Sequence, residues 1–303
     1  MPFLAPGPRW NLAGFLLALN LSACGAPETP ATPEPLGPNP VLITPSDGTQ
    51  LTTDAPNFTV RNAQGYDRGQ ANYTFSLNTQ SGQRSIAEAT VPAGRTTTSL
   101  EFAAPLPRGM TLSWSVVAEN SSGTAASPTA TFKTAAVACL ADRDPYAKSV
   151  VESFVPACSL AQNIYNDPSA VLGPPDAGGS GPASYFGFMS LGDDGFVTVD
   201  MEGCAVDEPG ADVRVYQSVS REEVTLWAGG TPQGPWQQLG FRVECGASER
   251  RVFSHYCDFD LGEAEVSEAR YFKIEDGENF PCPGDTVTEG ADIDAIKILH
   301  PRP

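Results

Sequence analysis

The chain has 303 residues, enough for two ordinary domains, and its 29 glycines and 28 prolines favour turns and short strands over long helices. Its formal net charge is −18. A surface this acidic repels phosphate backbones and anionic lipid headgroups, so the composition argues against a nucleic-acid partner and against membrane attachment through basic residues.

The N-terminal segment has the pattern of a bacterial export signal. Residues 1–23 contain one cation, Arg9, and an apolar run that is too short to span a bilayer as a mature helix. The run ends in the phrase LSAC, which resembles the lipobox of bacterial lipoproteins. The resemblance implies cleavage before Cys24, acyl chains such as palmitate on Cys24, and the lipid bilayer as a partner. The alternative is an ordinary signal peptide followed by a chance cysteine.

Residues 24–40 form a predicted tether behind this signal. Six of the sixteen residues from 25 to 40 are prolines, which favour extended polyproline conformations without a core. At about 3.1 Å per residue, such a segment holds a domain roughly 50 Å from the bilayer. No Asp follows Cys24, and in the lipoprotein families that this segment resembles, that absence fits outer-membrane sorting. The expected location is the bacterial cell envelope, with a lipid anchor in the outer membrane.

Six cysteines remain when Cys24 is set aside, and an even number in an exported chain indicates disulfide bonds. Sequence alone does not fix their connectivity. A zinc site is the weaker alternative, because no CxxC pair occurs and the chain has only two histidines. The favoured pairs close two short segments and tie two loops: Cys139–Cys158, Cys245–Cys257 and Cys204–Cys282.

Residues 41–135 predict an all-β unit. Apolar and polar residues alternate with period two in short segments between turn residues, and no segment shows a helical period of useful length. This pattern favours a β-sandwich. The predicted strands lie at residues 41–45, 57–60, 73–77, 97–102, 112–118 and 129–132.

This unit resembles a fibronectin type III domain in two phrases, LITPSDG at residues 42–48 and LSWSVVA at residues 112–118. In that family the second phrase is a central strand whose aromatic residue packs between the sheets. The resemblance therefore implies that Trp114 belongs to the core. The alternating neighbours of Trp114 favour the same position over a sugar-stacking role.

Residues 139–300 predict a second antiparallel sandwich, so the predicted fold class is all-β with two β-sandwiches in tandem. A short helix is an additional prediction for residues 147–155. Turn phrases such as GGTPQGP at residues 229–235 separate the strands. The predicted strands lie at residues 196–201, 212–217, 224–228, 236–244, 271–275 and 293–299.

The second unit resembles a discoidin-like, galactose-binding-like jelly roll of bacterial cell-surface proteins. The resemblance depends on the order of several short phrases, and the extra cysteines depart from the usual pattern. It implies a non-catalytic binding domain with carbohydrate as a candidate ligand. The phrases are LGPPD (172–176), SLGDDG (190–195), PGADVRVY (209–216), WQQLG (236–240), YFKI (271–274) and ADIDAI (291–296).

Jelly rolls of the resembled class often hold a structural calcium ion, and acidic loops at strand ends can supply its oxygen ligands. The candidate ligands are Asp207, Asp212, Asp292 and Asp294. Asp292 and Asp294 are two residues apart near a strand start, so their side chains face the same way. The alternative is a set of solvated acids on an outer face, because an acidic chain has carboxylates over most of its surface.

The sequence gives little support for catalysis. A glycan-active hydrolase would use paired carboxylates, but acids are too frequent here for a pair to be diagnostic. A nucleophilic triad would need His255 or His300, and no GxSxG phrase occurs. Trp227 and Trp236 are the better functional candidates, since exposed aromatic rings stack on sugars, although both lie in alternating strands that also suit a core.

These observations predict an envelope lipoprotein, not an enzyme, that acts by binding or adhesion, with carbohydrate as the candidate ligand. One alternative is a structural or assembly role in which the sandwiches bind envelope proteins. A hydrolase is the third possibility. Calcium is the one cofactor predicted, in a structural role.

Overall fold

The computed structural model describes residues 39–64, 71–141, 144–156, 165–176, 187–218, 222–248, 255–277 and 290–303. The predicted signal peptide, the lipidation site Cys24 and nearly all of the predicted tether lie outside these residues, as do Cys158 and Cys282. The described part of the chain is all-β, as predicted, with nineteen strands and two short 3-10 helices. Within it, no helix is long and apolar enough to cross a membrane.

The first sandwich consists of two sheets. Three strands form the smaller sheet in the order β1-β3-β6: β1 (Val41–Thr44), β3 (Phe58–Arg61) and β6 (Thr97–Leu100). The larger sheet has the order β2-β9-β7-β4-β5, with β8 paired to β7. Its strands are β2 (Thr49–Gln50), β4 (Asn72–Thr79), β5 (Ser85–Pro92), β7 (Thr111–Asn120), β8 (Gly123–Ala126) and β9 (Ala130–Lys133).

Trp114 lies at the centre of the first sandwich, as its alternating neighbours predict. Its side chain is 1% exposed. The indole stacks parallel to Phe75 at 6.3 Å and meets Phe58 edge-on at 5.1 Å. Its Nε1 donates a hydrogen bond to the carbonyl oxygen of Pro45 at 3.2 Å, so the one polar atom of the ring is paired inside the core. The core position is therefore confirmed.

The second sandwich also consists of two sheets. One has the order β10-β12-β18-β14-β15 and the other the order β11-β19-β13-β17-β16. The first contains β10 (Ser149–Phe154), β12 (Phe196–Val206), β14 (Glu223–Gly229), β15 (Gln237–Glu244) and β18 (Glu268–Asp276). The second contains β11 (Met189–Ser190), β13 (Val213–Gln217), β16 (Ala247–Ser248), β17 (His255–Phe259) and β19 (Asp292–Ile298).

The helix predicted for residues 147–155 is wrong. Ser149–Phe154 instead forms strand β10, which pairs antiparallel with β12. The β-branched residues Val150 and Val151 favour an extended backbone, and the ladder with β12 supplies the hydrogen bonds that a helix would have made internally. The sequence of this segment does not distinguish a helix from a strand. Because β10 is an edge strand with most of its side chains exposed, it lacks the buried alternating face that marks a strand.

Direct hydrogen bonds join the two sandwiches. Ser267 N donates to the carbonyl oxygen of Gly109 at 2.8 Å, and Met110 and Val266 form an isolated antiparallel bridge. The Glu265 carboxylate accepts from Ser81 N at 2.9 Å and from Ser81 Oγ at 2.5 Å. These contacts fix the larger sheet of the first sandwich against the β18 end of the second.

Two disulfide bonds lie within the described residues. Cys245–Cys257 joins the end of β15 to β17, as predicted. The pairing of Cys139 with Cys158 and of Cys204 with Cys282 is wrong, because Cys139 bonds to Cys204 across 65 residues, with Cα atoms 5.4 Å apart. The connecting segment runs back along β12, where Leu140 N donates to Glu202 O, and this brings Cys139 beside Cys204. Closeness in sequence does not predict the partner of Cys139, because the extended segment at Cys139 places it beside a distant cysteine.

Candidate functional site

A groove of about 420 Å³ lies between the two sandwiches. Its size is within the range of small-molecule binding sites, about 300–1,000 Å³. The first sandwich contributes the start of β5 and the loop after β6, and the second contributes β14 and the turn into β15. The lining residues are Arg84, Ser85, Ile86, Ala87, Ala104, Pro105, Leu106, Pro107, Trp227, Pro235, Trp236, Gln237 and Gln238.

Two glycines allow the Trp236 indole to pack directly against the backbone in this groove. A Cβ on Gly229 would lie 2.9 Å from Cε3 and Cζ3 of the indole, and one on Gly234 would lie 2.8 Å from its Cδ1. Only glycine allows this approach, and Gly234 also has a φ of +79° that other residues rarely adopt. The ring therefore packs against glycine backbone and remains part-exposed in the groove.

Trp227 is held by a hydrogen bond. Its Nε1 donates to Glu275 Oε2 at 2.6 Å, and Lys273 Nζ donates to Glu275 Oε1 at 2.5 Å. In the ladder between β14 and β18, Trp227 lies directly opposite Lys273, so all three side chains share the outer face of the sheet. Trp227 is part-exposed, as Trp236 is.

The polar groups of the groove come mainly from Arg84, Gln237 and Gln238. Arg84 Nη1 donates to Gln237 Oε1 at 3.3 Å, which connects the two walls directly. No acidic residue, histidine or cysteine is among the described residues that line the groove. The groove thus combines two fixed indoles with amide and guanidinium donors.

An acidic depression of about 460 Å³ is the second candidate site. It is lined by Asp207, Glu208, Pro209, Gly210, Asp260, Gly262 and Glu263. Carboxylate oxygens of Asp207, Asp212 and Asp260 all lie within 4.8 Å of one another. Oxygen ligands of this kind suit a hard cation such as Ca²⁺.

Asp212 and Asp207 differ in how well their charges are balanced. Asp212 is fully buried and accepts from Glu208 N at 3.1 Å, Leu261 N at 2.9 Å and His300 Nδ1 at 2.9 Å. Asp207 is exposed, and its pKa is raised by partial desolvation and by the neighbouring charges of Asp212, Asp260 and Glu208. Of these two carboxylates, Asp207 is the one whose charge a bound cation would offset more.

The structure does not bring the four predicted calcium ligands together. Asp212 precedes Val213, which pairs with Ile298 at one end of β19, whereas Asp292 begins β19 at its other end. Asp294 is also buried in β19, and its Oδ1 accepts from Asp176 N at 3.0 Å. Asp207 and Asp212 thus belong with Asp260, a residue that the sequence reasoning missed, and Asp292 and Asp294 lie elsewhere. Sequence adjacency to a strand start was the misleading signal.

Asp292 is a buried acid with little compensation. It is 8% exposed, and its Oδ1 accepts no hydrogen bond from the described residues. Burial raises its pKa to about 6, and the Ser190 hydroxyl opposes this only in part. The residue is paired with Ser190 in the ladder between β11 and β19, which keeps the carboxyl inside.

The two histidines occupy different settings. His300 contacts Asp212 at the rim of the acidic depression. His255 begins β17, two residues before the disulfide-bonded Cys257, and its Nδ1 has no partner among the described residues. Within the described chain, neither histidine has a recorded hydrogen bond to a serine or cysteine that could act as a nucleophile.

No protein-family model matches the chain, and no curated relative matches it. Among solved structures, CopC from Methylosinus trichosporium OB3b is 14% identical, with 32% of this chain and 94% of CopC covered and a TM-score of 0.26. The alpha-L-rhamnosidase from Dictyoglumus thermophilum is 8% identical, with 86% and 27% covered and a TM-score of 0.26. The chicken CNTN1 FN1-FN3 domains are 15% identical, with 80% and 62% covered and a TM-score of 0.24.

The chain therefore spans about a quarter of that rhamnosidase and less than two thirds of the CNTN1 fragment. The matches include fibronectin type III domains and glycosidases, all at low identity. Similarity at this level transfers no ligand, substrate or partner to the chain.

Proposed function

We propose that the protein is an envelope lipoprotein that binds carbohydrate, without catalysis, in the groove between its two sandwiches. The observation that carries the proposal is a pair of part-exposed indoles in a groove that both sandwiches line, with Trp227 hydrogen-bonded and Trp236 packed against glycine backbone. Aromatic rings offer apolar faces on which the C–H faces of a sugar ring can stack. Fixing the rings in advance lowers the ordering cost of binding.

The polar lining supports the same proposal. Arg84, Gln237 and Gln238 can hydrogen-bond to hydroxyl groups, and their donors and acceptors are not tied to one anionic or cationic ligand. Glycoside hydrolysis usually needs two carboxyl groups about 5–10 Å apart at the bound sugar. The described lining of the groove contains no carboxylate, and Glu275 beside it is paired with the Trp227 indole and with Lys273, so we propose binding rather than hydrolysis.

The anchor is a separate part of the proposal and depends on the sequence alone. A lipidated Cys24 followed by the proline-rich residues 25–40 would hold the sandwiches away from an outer membrane. Two or more acyl chains are needed for stable attachment, since each buried methylene contributes about 0.8 kcal/mol. Mass spectrometry of the N-terminal peptide from envelope fractions should show an acylated cysteine. An unmodified leader on the isolated protein would contradict the anchor and leave the binding proposal standing.

The binding proposal is tested with a glycan array and isothermal titration calorimetry on the full mature chain. Trp236→Ala should weaken binding of the array hits about tenfold, because a sugar stacked on the indole buries roughly 55 Å² of apolar surface at about 25 cal/mol per Å². Trp236→Phe should recover part of that loss. Val117→Ala, which removes an exposed apolar side chain of the first sandwich, should have no effect.

Thermal melts of each variant separate a loss of binding from a loss of fold. Failure of the wild type to bind any glycan, together with recovery of an envelope protein in pull-downs, would replace this proposal by the assembly role. Equal binding by wild type and a folded Trp236→Ala variant would place the carbohydrate site outside the groove.

A structural calcium ion remains a second proposal, now for the acidic depression. Asp207, Asp212 and Asp260 are the residues that would hold it. The ion would supply positive charge to a cluster in which Asp207 lies among like charges and is less compensated than Asp212.

A further inference from the structure

The outer face of the β10-β12-β18-β14-β15 sheet carries a row of aromatic side chains that begins in the groove. Trp227 on β14 lies in the groove, Phe196 lies on β12 and Phe154 lies on β10; we call these three residues the aromatic row. The ladders place all three on one face, because Phe196 pairs with both Phe154 and Glu275, and Trp227 pairs with Lys273. The intervening residues Val197 and Ile274 point into the core and are fully buried.

The gap between Trp227 and Phe196 is filled by an ion pair in contact with both rings. Glu275 Oε2 accepts from the Trp227 indole at 2.6 Å, and Glu275 Oε1 accepts from Lys273 Nζ at 2.5 Å. Lys273 Nζ lies 4.3 Å from the centroid of the Phe196 ring, within the range of a cation–π contact. Phe196 and Phe154 follow with centroids 6.0 Å apart and planes tilted by 30°.

This row does not serve the core. Phe154 is 50% exposed on an edge strand, and Phe196 and Trp227 are each part-exposed. The sheet already buries its opposite face against the second sheet of the sandwich, so folding does not require rings here. Three neighbouring rings that are exposed or part-exposed beside a groove form the kind of apolar surface that marks a binding site.

We infer that the groove and the aromatic row form one binding surface that takes a linear, neutral oligosaccharide longer than the groove alone could hold. This inference rests on the proposed function and specifies its ligand. From β14 to β10 the row crosses three inter-strand steps of about 4.8 Å each, which adds roughly 14 Å to the site in one direction. A ligand that follows it is extended rather than branched or compact.

The chemistry of the row selects the ligand class. Apolar rings alternate with a Glu275–Lys273 pair that can exchange hydrogen bonds with hydroxyl groups, and this alternation suits the apolar faces and hydroxyl edges of successive sugars. The pair is neutral in sum, while the chain as a whole has a formal charge of −18, so an acidic polysaccharide is disfavoured. A protein partner would need a broader apolar surface, about 800 Å² on this side, than one row of rings supplies.

The test uses calorimetry on the full mature chain with linear gluco-, xylo-, manno- and galacto-oligosaccharides of graded length, and with uronic acid oligomers of the same lengths. Wild-type affinity should rise with length for at least one neutral series. Phe154→Ala should weaken binding of the longest neutral oligomer about fivefold and leave the shortest unchanged, because Phe154 lies at the far end of the row. Trp236→Ala should weaken binding at every length. Val117→Ala is the matched control, and it should leave the affinity for the shortest and for the longest oligomer unchanged.

The possible outcomes separate this inference from the proposed function. Wild-type affinity that does not depend on length, or a Phe154→Ala variant that binds the longest oligomer as the wild type does, overturns the aromatic row and leaves the groove intact. Binding confined to uronic acid oligomers overturns the neutral ligand class. Absence of binding to every oligomer overturns the linear ligand, and absence of binding on the glycan array as well overturns the proposed function.

Discussion

In the first sandwich Trp114 is 1% exposed and packs between the sheets, whereas in the second Trp227 and Trp236 keep part of their rings at the surface. Trp114 and Trp227 lie in alternating strands, whereas Trp236 lies in the turn just before β15 and not in the alternating strand predicted for it. The difference lies in what covers the face of the sheet from which each ring projects. Trp114 faces a second sheet, while Trp227 and Trp236 face the open groove, so the same sequence pattern serves stability in one sandwich and an accessible site in the other.

The sandwiches also differ in how they treat buried polar groups. In the first, the buried Thr98 hydroxyl donates to Asn62 Oδ1 at 2.7 Å and accepts from Gly94 N at 3.1 Å. In the second, Asp292 is buried with one carboxylate oxygen that has no hydrogen-bond partner among the described residues, and Asp207 lies among like charges. Uncompensated groups cost stability. The second sandwich therefore carries the features that packing alone does not explain.

The largest effect is expected at Trp114. Trp114→Ala should lower the free energy of unfolding by about 3–5 kcal/mol, because it removes a fully buried indole and leaves a cavity between Phe58 and Phe75. Trp236→Ala should lower the free energy of unfolding far less, since that ring is part-exposed. Its main effect should be weaker glycan binding. Urea denaturation of both variants measures the contrast. Equal losses of stability would mean that Trp236 is a core residue after all.

Much of the fold could be predicted from the sequence because period-two patterning is local. Alternation predicts the strand around Trp114 and strands at 73–77 and 224–228, which the structure extends to 72–79 and 223–229. Strands with one-sided exposure were harder, as β10 shows, because an edge strand without a buried face loses the alternating signal. The connection at Cys139 was mispredicted because its partner Cys204 is brought close by an extended segment.

The candidate site was only partly predictable. Trp227 and Trp236 were recognised as functional candidates, but their shared groove was not, since Arg84 and Gln237 meet across 153 residues. Asp260 was missed because its link to Asp207 and Asp212 comes from the packing of the turn after β17 against the end of β12. Contacts of this kind depend on topology, which alternation does not encode.

An effect of intermediate size is expected at Asp292. Its pKa is raised from 3.8 to about 6, so the folded state holds a proton that the unfolded state releases between these values. Stability contributed by that proton is present at low pH and is lost as pH rises through about 6, to a total of about 3 kcal/mol. Asp292→Asn should therefore be more stable than the wild type at neutral pH, and the difference should vanish at low pH.

Urea denaturation across this pH range measures the Asp292 effect, and Asp47 of the first sandwich supplies the opposite case. The Asp47 carboxylate accepts from Thr131 N and Thr131 Oγ1, and these hydrogen bonds hold its pKa below the ordinary value. Stability from Asp47 is present above the unfolded pKa and is lost at acid pH. Asp47→Asn should be less stable than the wild type at neutral pH, with no gain anywhere. A neutral-pH loss in Asp292→Asn would show that its carboxylate is stabilising.

The smallest effect is expected at the acidic depression. In buffer with EDTA, Asp207→Asn should raise the free energy of unfolding by up to about 1 kcal/mol, because it removes one of several neighbouring negative charges that are largely exposed to solvent. Adding calcium should raise the melting temperature of the wild type, since a ligand that binds only the folded state stabilises it. Adding calcium should leave the melting temperature of Asp207→Asn nearly unchanged.

Asp292→Asn is the matched control for this experiment, because its carboxyl lies at the other end of β19 and should not alter the calcium response. A wild-type melting temperature that is identical in EDTA and in calcium would contradict the proposal that the protein binds calcium. The charges at Asp207 would then be a repulsive cluster held together by folding, with Asp212 balanced by its backbone donors and His300. A calcium response that survives in Asp207→Asn would move the ion elsewhere in the chain.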